Sequence, residues 1–246
     1  FTNDWKIISK TATREVSNET GNKILFVVSN TDYYIGTNIP TGNSFDEIVL
    51  AYKMFTEAGF NVDIISPKGG TVPLKYVDTS EKIKKEYLYD SDFMYALKTT
   101  KKPTQVHSSS YKAIYYVGGG SAMFNVPKNK EIQKLAIDIY EKQEGVISAV
   151  CHGTAGIVFL KKSNGEYVVN NKRVNGFPED HEKKEKEYFK SFPFLIRKTV
   201  ENHGGKFFYS NPLDEHVEVD GRLVTGQNPA SVPKLVREVI KIIKSN

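Results

Sequence analysis

The chain has 246 residues, 39% of them hydrophobic, and a formal net charge of +5. This length suits one α/β domain with a large core, or at most two small domains. No apolar stretch approaches the roughly 18 residues of a membrane span. The lysines alternate with glutamates, as in KKEKE at 183–187, instead of forming a basic stripe with interleaved aromatic residues. We therefore expect neither a membrane-spanning protein nor a nucleic-acid-binding one.

The first 21 residues differ from the rest of the chain. Residues 1–21 are polar, lack the apolar segment of a signal peptide and do not begin with methionine. We interpret them as a polar tail that precedes a single domain at 22–246. We expect the protein in the cytoplasm, and the alternative is an exported protein whose signal has already been removed. The single cysteine excludes an intrachain disulfide, so stability must come from the core.

Strands and helices alternate in the first part of the domain. The apolar run KILFVVS at 23–29 predicts a buried strand, and NVDIIS at 61–66 predicts a second one. A helix that ends at Gly59 is predicted between them, because apolar residues share one helical face: Phe45, Ile48, Val49, Tyr52 and Phe55. A strand, a helix and a strand at this spacing form a βαβ unit with a right-handed crossover.

The lysine-rich stretch 68–110 interrupts this alternation. It contains a short helical segment around 91–98 and a Lys-Lys-Pro turn at 101–103. A structureless loop of this length is uncommon in a compact domain. We therefore predict an insertion that packs over the sheet.

Regular alternation returns after the insertion. AIYYV at 113–117 predicts a strand that ends in a glycine run, and VISAV at 146–150 predicts a strand that ends at Cys151. The intervening helix has an apolar inner face: Ile132, Leu135, Ala136, Ile139 and Tyr140. The last helix has another: Val232, Leu235, Val236, Val239, Ile240 and Ile243. The sequence thus predicts an α/β domain with a mostly parallel central sheet flanked by helices.

Cys151 follows a central strand directly, at the carboxyl edge of the sheet, where open α/β folds bind ligands. A sharp strand-to-helix turn there would aim backbone N–H groups and the positive end of a helix dipole at the sulfur. Such surroundings lower a thiol pKa, and the thiolate is the nucleophile. An inert buried cysteine is the alternative. The neighbouring His152 and Gly153 favour a functional thiol with a pKa well below that of free cysteine.

The glycine run at 118–120 ends the neighbouring strand. Its backbone amides could face the same pocket and stabilise an oxyanion. A plain tight turn explains the run equally well. The sequence GGGSAMF matches neither the dinucleotide-binding pattern nor the Walker pattern.

Several segments together carry a resemblance to a known family: VCHG at 150–153, the glycine run, 90–116, GFPEDHE at 176–182 and DGRLVTGQNPAS at 220–231. From about residue 22 onward the chain resembles the ThiJ/PfpI (DJ-one) superfamily, and within it the heat-shock chaperone and glyoxalase III branch. VCHG is common to the superfamily, whereas 90–116 and 220–231 select the branch. The resemblance implies a flavodoxin-like sandwich with an inserted lid-like segment.

The resemblance also implies a set of site residues. Cys151 matches the family's nucleophile, His152 the histidine of its triad and Glu182 the acid of that triad. Glu47 matches a second acid early in the first helix. Gly119 matches the oxyanion-hole glycine, with His152 as its companion.

Two of these residues have other readings from the sequence alone. Glu47 stands three residues after Ser44, a spacing that also fits the capping box of a helix start. Glu182 lies in a charge-rich stretch where a solvated helix face is the usual expectation. Nothing in the local pattern favours it over Glu179 or Asp180 as the acid of a triad.

The implied activity is that of a glutathione-independent glyoxalase, a lactate dehydratase-type lyase that converts methylglyoxal, a small 2-oxoaldehyde, to lactate without a cofactor. Deglycase and stress-chaperone activities on glycated or unfolded proteins are allowed by the same resemblance, which also implies a homodimer. The histidines at 107, 181, 203 and 216 have no metal-ligand spacing, so we expect no metal site.

Three alternatives remain open from the sequence. A holding chaperone would need no turnover, and neither would a redox sensor in which Cys151 is oxidised. A cysteine peptidase or an amidotransferase-like hydrolase would use a similar turn. Glutaminase-type amidotransferases need a Gly-x-Cys-x-Gly turn and a later His-x-Glu pair. Ala149 occupies the first glycine position, and we expect no such pair after Cys151, so both features argue against this class.

Overall fold

A computed structural model of the protein describes residues 21–246. Its strands are β1 (Lys23–Val27), β2 (Asn43–Ser44), β3 (Asn61–Ile65), β4 (Leu74–Lys75), β5 (Tyr111–Tyr116), β6 (Val146–Val150), β7 (Arg173–Val174), β8 (Lys206–Phe207), β9 (Val217–Asp220) and β10 (Leu223–Gly226). Its α-helices are α1 (Phe45–Glu57), α2 (Lys82–Leu88), α3 (Ser91–Lys98), α4 (Lys130–Lys142), α5 (Glu187–Lys190), α6 (Ile196–Asn202) and α7 (Val232–Ser245). Apart from Gly21, the predicted tail at 1–21 lies outside the described residues.

The central sheet has six strands in the order β3-β1-β5-β6-β10-β9. Every neighbouring pair is parallel except β10 and β9, which are antiparallel. The prediction of a mostly parallel sheet flanked by helices is therefore confirmed. None of the helices between residues 21 and 246 is both long and apolar enough to cross a membrane.

Strand β1 shows why a continuous apolar run suits this sheet. Ile24 and Phe26 pack with α1 and α7 on one face, whereas Leu25 and Val27 pack with α4 on the other. All four side chains are at most 1% exposed. Because side chains alternate across a strand, a strand covered on both faces must be apolar at every position.

The predicted insertion is ordered and partly helical. Helix α3 begins and ends where the short helical segment was predicted, but α2 was not predicted. Phe93 of α3 stacks against Phe45 and Tyr52 of α1, and the buried Lys84 of α2 lies 2.9 Å from Asp46. The insertion therefore packs on the α1 layer, and not directly over the sheet as the sequence suggested.

The turn after β6 also differs from the prediction. Residues Cys151–Gly156 form a six-residue 3₁₀ helix, and no α-helix begins there. A Cβ atom on Gly153 would lie 2.3 Å from the Tyr116 carbonyl oxygen, so the turn fits against β5 only because this residue is glycine. The prediction that an α-helix directs its dipole at the sulfur is therefore wrong. Individual backbone N–H groups remain as the local source of positive potential.

Candidate active site

The ends of β5 and β6 and the start of α1 meet at the carboxyl edge of the sheet. Cys151 is the first residue after β6 and has a φ of 57°, in the left-handed region that side chains other than glycine rarely adopt. Such a conformation costs about 1–3 kcal/mol and persists where the surrounding structure enforces it. The same kind of strained turn presents the nucleophile in many hydrolases.

Cys151, His152 and Glu182 form a line of hydrogen-bonding side chains. The Cys151 Sγ atom lies 3.6 Å from His152 Nδ1, and His152 Nε2 lies 2.5 Å from Glu182 Oε1. A carboxylate can only accept, so Nε2 carries the proton and Nδ1 is left to accept from the thiol. Tyr188 donates to the other Glu182 oxygen at 2.9 Å and fixes the carboxylate.

The tertiary structure separates the three acids that the sequence left undecided. Glu179 accepts the backbone N–H groups of Arg197 and Lys198 at 2.9 and 2.8 Å, at the start of α6. Asp180 forms an ion pair with the Arg197 guanidinium at 2.6 Å. Glu182 reaches His152 instead, and its side chain is 5% exposed, so it is not on a solvated helix face.

Glu47 lies in the first turn of α1, but it does not cap that helix. Its Oε2 atom accepts the backbone N–H of Gly118 at 2.6 Å, and Ser44 makes no side-chain cap hydrogen bond. The capping-box interpretation is therefore wrong. Glu47 is completely buried, and its Oε1 atom has no hydrogen-bond partner of good geometry among residues 21–246.

Burial determines the protonation states of Glu47 and Cys151. It raises the pKa of Glu47 to about 8, although the Gly118 N–H and the Cys151 thiol both act in the opposite direction. It also raises the pKa of Cys151 well above its usual value, and the nearby Glu47 charge adds to that effect. The prediction of a lowered thiol pKa is therefore wrong. The sequence shows the turn, but not the removal of the sulfur from water.

Two backbone N–H groups nevertheless point at the sulfur. Hydrogen bonds from the amides of His152 and Gly119 both act to lower the Cys151 pKa. Their convergence provides the arrangement that an oxyanion hole requires. Gly119 has a φ of 94°, and a Cβ atom there would lie 2.2 Å from the Gly42 carbonyl oxygen. Residue 119 must therefore be glycine for its backbone N–H to point at the sulfur.

Aromatic side chains hold the His152 ring, and sequence reasoning did not identify their role. Phe177 stacks on His152 with ring centroids 4.6 Å apart, and Phe192 packs edge-on at 5.8 Å. Phe177 lies within the GFPEDHE motif, so a signal was present for it. Tyr188 and Phe192 stand outside every motif, and only the fold brings them to the site.

The family of the chain follows from its similarity to known proteins. Residues 41–242 match the DJ-1/PfpI family. The chain belongs to this family. It is 32% identical to a Schizosaccharomyces pombe protein named glutathione-independent glyoxalase hsp3101, over 91% of this chain and 96% of that one. It is 28% identical to the Saccharomyces cerevisiae glutathione-independent glyoxalase HSP31, over 90% and 98%.

Solved structures similar to this chain agree with this assignment. The crystal structure of glyoxalase III from Candida albicans superposes with a TM-score of 0.81 at 28% identity, over 91% of this chain and 98% of that one. The Francisella tularensis rapid encystment protein gives a TM-score of 0.84 at 27% identity, over 90% and 99%. The resemblance inferred from the sequence motifs is therefore confirmed.

We predict that Gly119→Ala destabilises the protein more than Gly36→Ala. Both glycines have positive φ, but a Cβ atom on Gly36 would meet nothing within 4 Å. Gly36→Ala should lower the free energy of unfolding only by the cost of placing alanine in the left-handed conformation, about 1–2 kcal/mol. Gly119→Ala adds a clash, for about 1–3 kcal/mol more. Urea unfolding measures both, and equal losses would show that the space around Gly119 is not restrictive.

We predict that Glu47→Gln becomes more stabilising as the pH rises. The folded carboxyl keeps its proton up to about pH 8, whereas its ordinary pKa is 4.5. A raised folded-state pKa gives stability that is present below pH 4.5 and is lost as the pH rises towards about 8. The neutral glutamine avoids that loss. The free energy of unfolding should be measured below and above this window, with Glu131→Gln as the exposed first-turn control. A pH-independent difference would contradict the raised pKa.

Proposed function

We propose that this protein is a glutathione-independent glyoxalase of the glyoxalase III type, which converts methylglyoxal to lactate. The observation that carries the proposal is a buried acid, Glu47, beside a nucleophile–imidazole–carboxylate line at Cys151. The names of the yeast relatives and of the Candida structure support the same activity. A small 2-oxoaldehyde is the expected substrate.

The first step is addition of the Cys151 sulfur to the aldehyde carbon. His152 Nδ1 accepts the thiol proton, and Glu182 stabilises the imidazolium that forms. The Glu47 carboxyl is largely protonated below about pH 8, so no carboxylate charge opposes the new thiolate. The aldehyde oxygen becomes the oxyanion of a hemithioacetal and is stabilised by the Gly119 and His152 amides.

The second step moves a proton between adjacent carbons. Glu47 first gives its proton to the hemithioacetal oxyanion, and the resulting carboxylate takes the proton from the former aldehyde carbon and returns it to the former ketone carbon through an enediol. His152 gives its proton to the former ketone oxygen, and loss of the other hydroxyl proton to Glu47 leaves a thioester. A pKa of about 8 lies near working pH, where one carboxyl can both accept and donate. Water then releases lactate and restores the thiol. One carbon is oxidised and its neighbour reduced, so the electrons balance within the substrate without glutathione or another redox partner.

The other activities considered for this site are less well supported. Redox-sensing cysteines are exposed and have a low pKa, whereas Cys151 is 8% exposed and has a raised pKa. The exposed large apolar side chains that a holding chaperone would use are scattered along the chain and include Tyr89 and Leu213. Repair of glycated groups would use the same nucleophile and remains compatible with the proposal.

We predict that Glu47→Gln abolishes turnover while Glu182→Gln only weakens it. An amide cannot accept the substrate proton, and loss of a general base typically costs about 10²–10⁴-fold in rate. Glutamine can still accept the Gly118 N–H, so the fold should survive. Glu182→Gln should misorient His152 but leave the nucleophile and Glu47 in place. The rate of methylglyoxal loss and the yield of lactate measure both variants.

Asp180→Asn is the matched control for Glu182→Gln. Asp180 lies two residues away and pairs with Arg197 at the surface, so its replacement should leave turnover nearly unchanged. Cys151→Ser should be inactive. A Glu47→Gln variant that is folded and turns over at a near-normal rate would rule out Glu47 as the proton shuttle.

We also propose that the protein is a homodimer. The neighbouring side chains of Tyr33 and Ile35 are 50% and 56% exposed, and apolar groups of this size are common in subunit interfaces. Light scattering at micromolar concentration should therefore give twice the mass of one chain. A strict monomer would contradict the proposed assembly.

A further inference from the structure

A second nucleophile–imidazole–carboxylate relay, with a serine in place of the cysteine, lies beside the antiparallel edge strand of the sheet. The Ser210 Oγ atom lies 2.7 Å from His216 Nδ1, and His216 Nε2 lies 2.7 Å from Glu218 Oε1. Glu218 belongs to β9, His216 directly precedes that strand, and Ser210 lies in the loop before it. The relay has the same connectivity as the Cys151 site, where the nucleophile faces Nδ1 and the carboxylate faces Nε2.

The hydrogen bonds around Glu218 determine which nitrogen of His216 carries the proton. The second Glu218 oxygen accepts from Arg173 Nε at 2.8 Å, so the guanidinium holds the carboxylate in place. Because a carboxylate only accepts, His216 Nε2 must be the donor and Nδ1 the acceptor. The Ser210 hydroxyl then donates to Nδ1, which is the arrangement in which an imidazole can remove a serine proton.

A buried glutamine fixes the backbone on both sides of Ser210. Gln227 accepts the Ser210 N–H at 2.8 Å and donates to the Asn211 carbonyl at 2.7 Å. The Asn211 N–H has no acceptor within the part of the chain that the structure describes. Ser210 lacks the positive φ of Cys151, but the N–H after a nucleophile can still donate to an oxyanion. Ser210 is partly exposed, whereas the His216 and Glu218 side chains are only 18% and 9% exposed, so solvent reaches the relay from the serine side.

Ring contacts lie between this relay and the Cys151 site. Phe177 stacks on His152, packs edge-on against His181 at 5.8 Å, and His181 packs against Tyr209 at 5.3 Å. Tyr209 immediately precedes Ser210. A row of ring contacts therefore runs from one relay to the other, and the two nucleophiles do not share a histidine.

We propose that Ser210 is a second nucleophile, which is acylated by small carboxylic esters. A bond forms between Oγ and the acyl carbon, and the hydroxyl proton passes through His216 Nδ1 to the departing alkoxide. Water then attacks the acyl-serine, returns a proton to Oγ and releases the acid. An ester suits this site better than an amide, because an open site with few oxyanion donors needs a good leaving group.

The test is covalent labelling by a fluorophosphonate, in which an O–P bond forms at serine and fluoride leaves. The protein carries Cys151→Ala, so the competing thiol is absent and the result is independent of the proposed glyoxalase activity. We expect mass spectrometry to map the adduct to Ser210 and to find none there after Ser210→Ala. Ser191→Ala is the matched control, because Ser191 is a partly buried serine that donates to a backbone carbonyl and contacts no histidine.

The role of His216 is tested by the rate of the same reaction. His216→Gln should slow labelling of Ser210 by about 10²–10⁴-fold, the usual contribution of a general base. If that variant is unfolded by circular dichroism, Glu218→Gln takes its place. Absence of a Ser210 adduct in folded protein would overturn the proposal. Labelling at an unchanged rate without His216 or Glu218 would overturn it too, because the relay would then not activate the serine.

Discussion

The hydrogen bond from the Gly118 N–H to Glu47 is the contact on which the candidate site depends. It joins the end of β5 to the first turn of α1 inside a region closed to water, next to Cys151. A Cβ atom on residue 118 would lie 2.4 Å from Glu47 Oε2 and 2.8 Å from Cys151 Cβ. Glycine is therefore required for the two side chains to approach each other, and the parallel sheet is what brings their elements to one edge.

Close approach in a buried place also determines the electrostatics. The Glu47 charge disfavours the Cys151 thiolate, whereas the Cys151 thiol favours the Glu47 carboxylate, and removal from water disfavours both charges. The resting site therefore favours a neutral acid beside a neutral thiol, and the nucleophile forms only when His152 removes the proton. This arrangement protects the sulfur from indiscriminate reaction and leaves Glu47 able to exchange a proton near neutral pH.

The same local geometry occurs around a second imidazole, although the surroundings differ. His152 is held by stacked rings and lies beside a buried acid, whereas the His216 ring hydrogen-bonds to a serine and a carboxylate among residues 21–246. The expectation that no His-x-Glu pair follows Cys151 is wrong, because residues 216–218 read His-Val-Glu. In the fold, His216 hydrogen-bonds to Ser210 and not to Cys151, which argues further against an amidotransferase.

The sequence by itself determined the layer architecture, because continuous apolar runs mark strands that are buried on both faces and period-3.6 apolar patterns mark helices that are buried on one face. It also determined that Cys151 ends a central strand. Its family motifs also indicated Glu47 and Glu182. Only the tertiary structure decided that Glu182, and not Asp180, reaches His152, that Glu47 bonds to Gly118 instead of capping α1, and that the thiol pKa is raised. These outcomes depend on contacts between residues far apart in the chain and on exclusion of water, which no local pattern encodes.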